Sequence, residues 1–285
     1  MAFSRSPEPG EERLRRDLEH IEAVLRVTRR PPPSEWRLAD YGWQKLERRG
    51  IAFREPAQWL FHLMSRDFAV ETANYINQLV KQIDKLRAWA KQLEGINDEP
   101  ERLHILAEFV DPEVHYTLSL PYALREKFYF AFAHLCNQGQ RITDPTAKDD
   151  LKADHQITPE RAKRYEKTCE PGERFIAAAN AMTDDEFEER TSNFRNCFNH
   201  RITPGVELGS SRFVQREIPT PEEREKLPGK PKVIYHLGAS SPVKLSDVIA
   251  ALEHQQDLAF TCFERLKEVI WYFEDQILAQ LPDLA

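Results

Sequence analysis

The sequence predicts an all-α fold: a helical bundle with N-terminal helical additions and a short β-hairpin excursion. Only 10 of the 285 residues are glycine, about half the usual share of ~7%, whereas sheet-rich folds and phosphate-binding loops both need glycine. Apolar residues recur at three- and four-residue spacing through 76–93 and 245–277, which is the periodicity of amphipathic helices. The hydrophobic content of 41% is sufficient for a folded interior and excludes global disorder.

Composition and charge narrow the function classes. The formal net charge of −7 argues against a protein coated in nucleic acid, but it permits one local basic groove. The four cysteines are far apart and form no CxxC motif, so neither a zinc knuckle nor a disulfide framework is indicated. No phosphate-loop motif or metal-ligand motif is present, and we expect no cofactor and no metal. We also expect a cytoplasmic protein, because neither a signal peptide nor a membrane span is evident.

Residues 1–54 are predicted to hold a tail and peripheral helices. The first helix carries apolar residues at helical spacing through 14–25 and stops at the prolines of 31–33, since proline cannot continue a helix. Ser34 is a candidate N-cap for a second short helix that ends at Gly50.

Residues 55–285 are predicted to form the bundle, interrupted by a proline-rich basic excursion at 201–243. Helices are expected over 56–95, over 99–138 with breaks at Pro112 and Pro121, and over 158–182, 183–200 and 245–281. Thr183 and Glu186 have the spacing of a capping box that would open the fourth of these helices. Within the excursion, 212–218 and 232–237 are β-branched and aromatic enough to pair as a hairpin.

The segment that could carry chemistry is Arg195-Asn196-Cys197-Phe198-Asn199-His200, at the end of the predicted helix 183–200. On a continuous helix with ~100° per residue, a buried stripe would contain Phe187, Thr191, Phe194 and Phe198. The polar side chains of the hexapeptide would then share the face that this stripe leaves uncovered. The spacing also makes two i, i+4 pairs, Arg195 with Asn199 and Asn196 with His200.

These residue types suit metal-free cleavage of RNA. Arginine binds phosphate oxygens through a planar fork, and histidine transfers protons near neutral pH. Asparagine can hold a tautomer or donate to an oxyanion, while RNA supplies its own nucleophile, the 2′-hydroxyl. Between Arg195 and Arg216 the chain carries four arginines against one acid, Glu207. This region therefore has a positive net charge in a chain whose overall net charge is −7, and a phosphate backbone could bind there.

The hexapeptide resembles the R-N-x-x-x-H signature of the HEPN (higher eukaryotes and prokaryotes nucleotide-binding) superfamily. The resemblance implies a helical bundle of HEPN type and a metal-independent endoribonuclease of toxin–antitoxin, abortive-infection or other antiviral systems. It implies a homodimer whose two motifs face one cleft, RNA as substrate, and an antitoxin or defence-system partner. Arg195 and His200 would be catalytic and Asn196 supporting. We add Asn199, Arg201, Arg212 and Arg216 as candidate nucleic-acid-binding residues.

Other interpretations remain open at the level of sequence. Arg15 and His20 also satisfy R-x4-H, although without the asparagine and in a peripheral helix. Arg195 could be an arginine lying beside the core and His200 an exposed residue at a helix end. The same face could belong to a non-catalytic module that binds RNA, a nucleotide or a partner protein. The apolar seam of 245–281 could instead build a purely structural oligomer.

Overall fold

The structure, a computed structural model, describes residues 9–28, 37–47, 53, 55–144, 146–200, 203–208, 214–238 and 241–281. The prediction of an all-α fold with a short hairpin is confirmed. The α-helices are α1 (Pro9–Thr28), α2 (Pro56–Glu94), α3 (Glu99–Ile105), α4 (Asp111–Thr143), α5 (Pro159–Ala162), α6 (Gly172–Ala181), α7 (Asp185–Arg190), α8 (Phe194–His200), α9 (Pro221–Lys226) and α10 (Leu245–Ala279). The strands are β1 (Val214–Glu217) and β2 (Ile234–Leu237). Within these ranges, no helix has the length and apolar character needed to cross a membrane.

Three long helices, α2, α4 and α10, pack on one another and form the centre of the bundle, with α6 against α10 and α1 against α2. Fully buried aromatic side chains fill the space between them: Phe61, Phe128, Phe132, Phe263 and Phe273. The apolar seam of α10 is buried inside the chain itself, from Leu245 to Ile277. The seam is therefore used by the bundle and is not left for a second chain.

The segment 37–47 is not helical, so the prediction of a second N-terminal helix is wrong for these residues; its remaining parts lie outside the described residues. Side chains from the bundle satisfy the backbone of this segment instead. Asn77 accepts from the N–H of Ala39 at 2.7 Å and donates to its carbonyl at 3.1 Å. The carboxylate of Glu274 accepts from the N–H of Lys45 at 2.9 Å. Because its backbone groups are paired in this way, the segment packs without forming a helix.

Helix α4 runs through Pro121 without interruption, so the predicted break there is wrong. A proline in a helix interior costs about 3 kcal/mol, because it loses one backbone hydrogen bond and its ring clashes with a carbonyl of the preceding turn, and packing of α4 against α2 and α10 outweighs this cost. Pro112 does mark a boundary, because a π-helical turn (Leu106–Val110) separates α3 from α4. The helix predicted over 158–182 is divided into α5, a 3-10 turn (Lys163–Tyr165) and α6.

The hairpin prediction is confirmed. Strands β1 and β2 pair antiparallel, with Val214 opposite Leu237 and Glu217 opposite Ile234. The connection between them contains α9, which was not predicted and which opens with a capping box formed by Thr220 and Glu223.

Asp111 opens α4 with its Oδ1 buried and without a hydrogen-bond donor among the described residues. Burial raises its pKa to about 6. The folded protein therefore holds this proton more tightly than the unfolded chain, so stability falls as pH rises from about 4 to about 6. After allowance for partial exposure, we expect Asp111→Asn to stabilise the protein by about 1–2 kcal/mol at pH 7.

The measurement is urea unfolding at several pH values. The gain from Asp111→Asn should disappear near pH 4, where the wild-type carboxyl is protonated in both states. Glu108→Gln is the matched control, because Glu108 is an exposed carboxylate just before α4, and a surface substitution of this kind should change the stability by no more than about 0.5 kcal/mol. An Asp111→Asn gain of equal size at pH 4 and pH 7 would contradict the assignment.

Candidate functional site

The hexapeptide lies on a short helix of its own, so the prediction of one continuous helix over 183–200 is wrong. Helix α7 ends at Arg190, and α8 begins at Phe194. Ser192 and Asn193 between them adopt positive φ angles of 53° and 51°. The N–H of Asn193 donates to the carbonyl of Glu188 at 2.6 Å, which closes the end of α7.

The predicted capping box is also corrected by the structure. The N-cap of α7 is Asp184, whose side chain accepts from the N–H of Phe187 at 3.0 Å. Thr183 instead has a positive φ of 51°, and its N–H donates to Gln255 of α10 at 2.9 Å. This buried contact holds the start of α7 against the long helix.

The turn between α7 and α8 invalidates the continuous helix from which the buried stripe was predicted, but the described side chains of that stripe are buried as expected. Phe187 on α7, Thr191 in the turn and Phe194 on α8 are all buried. Within α8 the two i, i+4 pairs still hold as backbone positions. The side chains of Phe198, Asn199 and His200 lie outside the described residues, as do Arg201 and Arg212.

Arg195 lies at the surface of α8 with its guanidinium over the ring of Tyr122 from α4, 4.2 Å from the ring centroid. Such a contact attracts the cation to the face of the ring and limits the conformations of a long side chain. Among the described side chains none forms an ion pair with Arg195, so its hydrogen-bond donors are not committed to a carboxylate. Asn196, the next residue, is half-buried.

Three charged side chains, Glu188, Arg195 and Arg125, lie near the phenol of Tyr122. Burial raises the pKa of its phenol, and the nearby charge of Glu188 raises it further, while Arg195 and Arg125 oppose the shift. Arg125 lies 5.9 Å from the Tyr122 ring centroid and donates to the carbonyl of Met182 at 3.2 Å. Two guanidinium groups therefore flank one buried ring, and one of them is anchored to backbone.

His115 lies on α4, as Tyr122 and Arg125 do, and it also contacts α8. Its ring meets the buried Phe194 edge-on at 4.6 Å between centroids, and burial lowers its pKa, so the imidazole is neutral near pH 7. The sequence interpretation did not include His115, Tyr122 or Arg125 in the site. Their spacing of seven and three residues places them on one face of a helix, which is the signal that could have found them.

Among the remaining candidate residues, the structure describes the side chain of Arg216. Arg216 is exposed on β1, opposite Tyr235 of β2. The competing motif match has a structural role: His20 contacts Glu101 through Nε2 at 3.1 Å and Gln92 through Nδ1 at 2.8 Å. These contacts attach α1 to α2 and α3 and leave neither ring nitrogen of His20 available.

Within the described ranges, no three side chains of His, Cys, Asp or Glu are grouped as a metal site would require. Comparisons with known protein families, with curated proteins and with solved structures give no match.

Proposed function

We propose that the chain is a metal-independent endoribonuclease of HEPN type, acting in prokaryotic defence or as the toxin of a toxin–antitoxin pair. The observation that supports this best is the exposed guanidinium of Arg195, held over Tyr122 and without a carboxylate partner among the described side chains. A buried arginine in an internal ion pair would have excluded the phosphate-binding role. The adjoining Asn196 and the position of His200 on the same short helix complete the R-N-x-x-x-H pattern.

In the proposed reaction His200 moves protons around the 2′-hydroxyl and the leaving 5′-oxygen. The 2′-oxygen attacks the adjacent phosphorus and the bond from phosphorus to the 5′-oxygen breaks, which leaves a 2′,3′-cyclic phosphate and a 5′-hydroxyl. Arg195 stabilises the extra negative charge of the phosphorane through its N–H fork, and Asn196 orients one of these two groups. The nucleophile and the leaving group both belong to the RNA.

Tyr122 is a positioning residue in this proposal. The Arg195 guanidinium packs on the face of the Tyr122 ring. Because this contact already restricts the arginine side chain, less conformational entropy is lost when it binds phosphate. The site further requires a homodimer with RNA between the two copies of α8, and an antitoxin or defence-system partner that controls it.

The proposal is tested by incubating the purified protein with RNA and with DNA of the same sequence in excess chelator. We expect cleavage of RNA only, with 2′,3′-cyclic phosphate ends detected by mass spectrometry, and protection of any position that carries a single 2′-deoxy substitution. Cleavage that requires a divalent metal, or equal cleavage of DNA, would contradict the proposal.

Binding of RNA without cleavage would favour the alternative of a non-catalytic module. Arg195→Ala would then weaken binding with no turnover to lose. A steep decrease of affinity with salt would identify phosphate contacts, whereas a protein interface would show a shallow salt dependence.

A further inference from the structure

Two of the four cysteines, 33 residues apart in the chain, meet inside the fold. Cys136 lies on α4 and Cys169 lies between the 3-10 turn and α6, and their sulfur atoms are 4.0 Å apart. Cys136 is fully buried and Cys169 is 6% exposed. The two sulfurs are therefore in van der Waals contact, and a movement of about 2 Å would bring them to the length of a disulfide bond.

The surroundings of the two sulfurs differ. The contact with the Cys136 thiol lowers the pKa of Cys169, and the neighbouring Thr168 and Gly172 lower it further, although burial and the nearby Glu170 oppose this. Burial raises the pKa of Cys136. Cys169 is therefore the sulfur that ionises more readily, and the thiolate is the reactive form of cysteine.

Cys169 is also the sulfur nearer to solvent. The preceding residue, Thr168, lines an open cavity of about 260 Å³ together with Tyr165 and Gln140, which is large enough for a small peroxide. Cys169 belongs to a connecting segment and not to a helix, whereas Cys136 lies in the last third of α4.

We propose that Cys136 and Cys169 are a redox-active pair that closes to an intramolecular disulfide on reaction with a hydroperoxide. The Cys169 thiolate attacks one peroxide oxygen, the O–O bond breaks, and the leaving oxygen takes up a proton to give water or an alcohol. Cys169 is then a sulfenic acid. The Cys136 sulfur attacks that sulfenic sulfur, loses its proton, and hydroxide leaves as water. Two electrons pass from the two thiols to the peroxide.

The disulfide would connect the C-terminal third of α4 to the segment that leads into α6. It would close a long loop of the unfolded chain, which lowers the entropy of that state and raises Tm. This role is independent of the proposed ribonuclease, since neither cysteine belongs to the motif on α8.

The test is treatment of the reduced protein with hydrogen peroxide, followed by alkylation, proteolysis without reductant and mass spectrometry. We expect one cross-linked peptide pair joining Cys136 to Cys169 and an increased Tm. In Cys136→Ala, we expect a sulfenic acid on Cys169 that dimedone traps. In Cys169→Ala, we expect the loss of thiol at Cys136 to slow at least tenfold, because its remaining thiol is buried and protonated.

Cys262→Ala is the matched control, because Cys262 is equally buried with a raised pKa and is not part of the contact. This variant should form the same cross-link at the wild-type rate. The proposal is overturned if wild-type protein oxidises only at other residues, or if Cys169→Ala leaves the oxidation of Cys136 unchanged. Circular dichroism of every variant checks that the helical fold is kept.

Discussion

Cleavage of RNA is expected to fall by about 10²- to 10⁴-fold when His200 is replaced by alanine, which is the usual contribution of a positioned proton-transfer group. The 2′-hydroxyl is a weak nucleophile until its proton is removed, and alanine cannot accept it. Single-turnover cleavage of a labelled RNA in chelator measures the change in the chemical step. Arg195→Lys should also be impaired, because lysine keeps the charge but lacks the planar fork that binds two phosphate oxygens.

The chain offers a matched control for this experiment in its second R-x4-H match. His20→Ala should retain wild-type cleavage, because both ring nitrogens of His20 are engaged with Glu101 and Gln92. It should instead loosen α1, which hydrogen exchange of residues 9–28 would detect. Equal losses in His20→Ala and His200→Ala would point to a general effect on folding and would remove His200 from the mechanism.

Gly139→Ala is expected to destabilise the protein by about 2 kcal/mol. A Cβ at this position of α4 would lie 2.2–2.5 Å from three ring atoms of Phe273, which is fully buried on α10 and packs edge-on against Phe61. Overpacking of a core costs about 1–3 kcal/mol. This cost exceeds the helix propensity that alanine gains over glycine, up to about 1 kcal/mol. Urea unfolding measures the difference.

A double-mutant cycle assigns this effect to the contact. Phe273→Leu removes the ring atoms that the new methyl group meets, so Gly139→Ala should cost at least 1 kcal/mol less in that background, as expected for residues in direct contact. Gly10→Ala is the control, since no atom lies within 4 Å of a Cβ built there. Additive effects of the two substitutions would show that the glycine is not required for this close helix approach.

The residues behind these two predictions differ in whether the sequence alone could identify them. The arginine, asparagine and histidine of the motif were visible as a spacing pattern. The close approach at Gly139 was not, because it depends on which side chain of α10 lies opposite, and the spacing along one helix carries no information about its neighbour.

The sequence by itself determined the helical class, the long helices α2 and α10, and the hairpin, whereas it predicted a break at Pro121 that α4 does not have. Each of these depends on local periodicity, on proline and glycine positions, or on β-branched runs, and such signals lie within one segment. It also determined which residue types were available for phosphate chemistry at 195–200.

Only the tertiary structure decided the rest, because each remaining feature is a contact between segments distant in sequence. Asn77 and Glu274 supply the hydrogen bonds that let 37–47 remain non-helical. Gln255 anchors the start of α7, Tyr122 supports Arg195, and the sulfurs of Cys136 and Cys169 meet. Local preference allows several backbone states for these segments, and the packing of the bundle selects one of them by satisfying its buried polar groups.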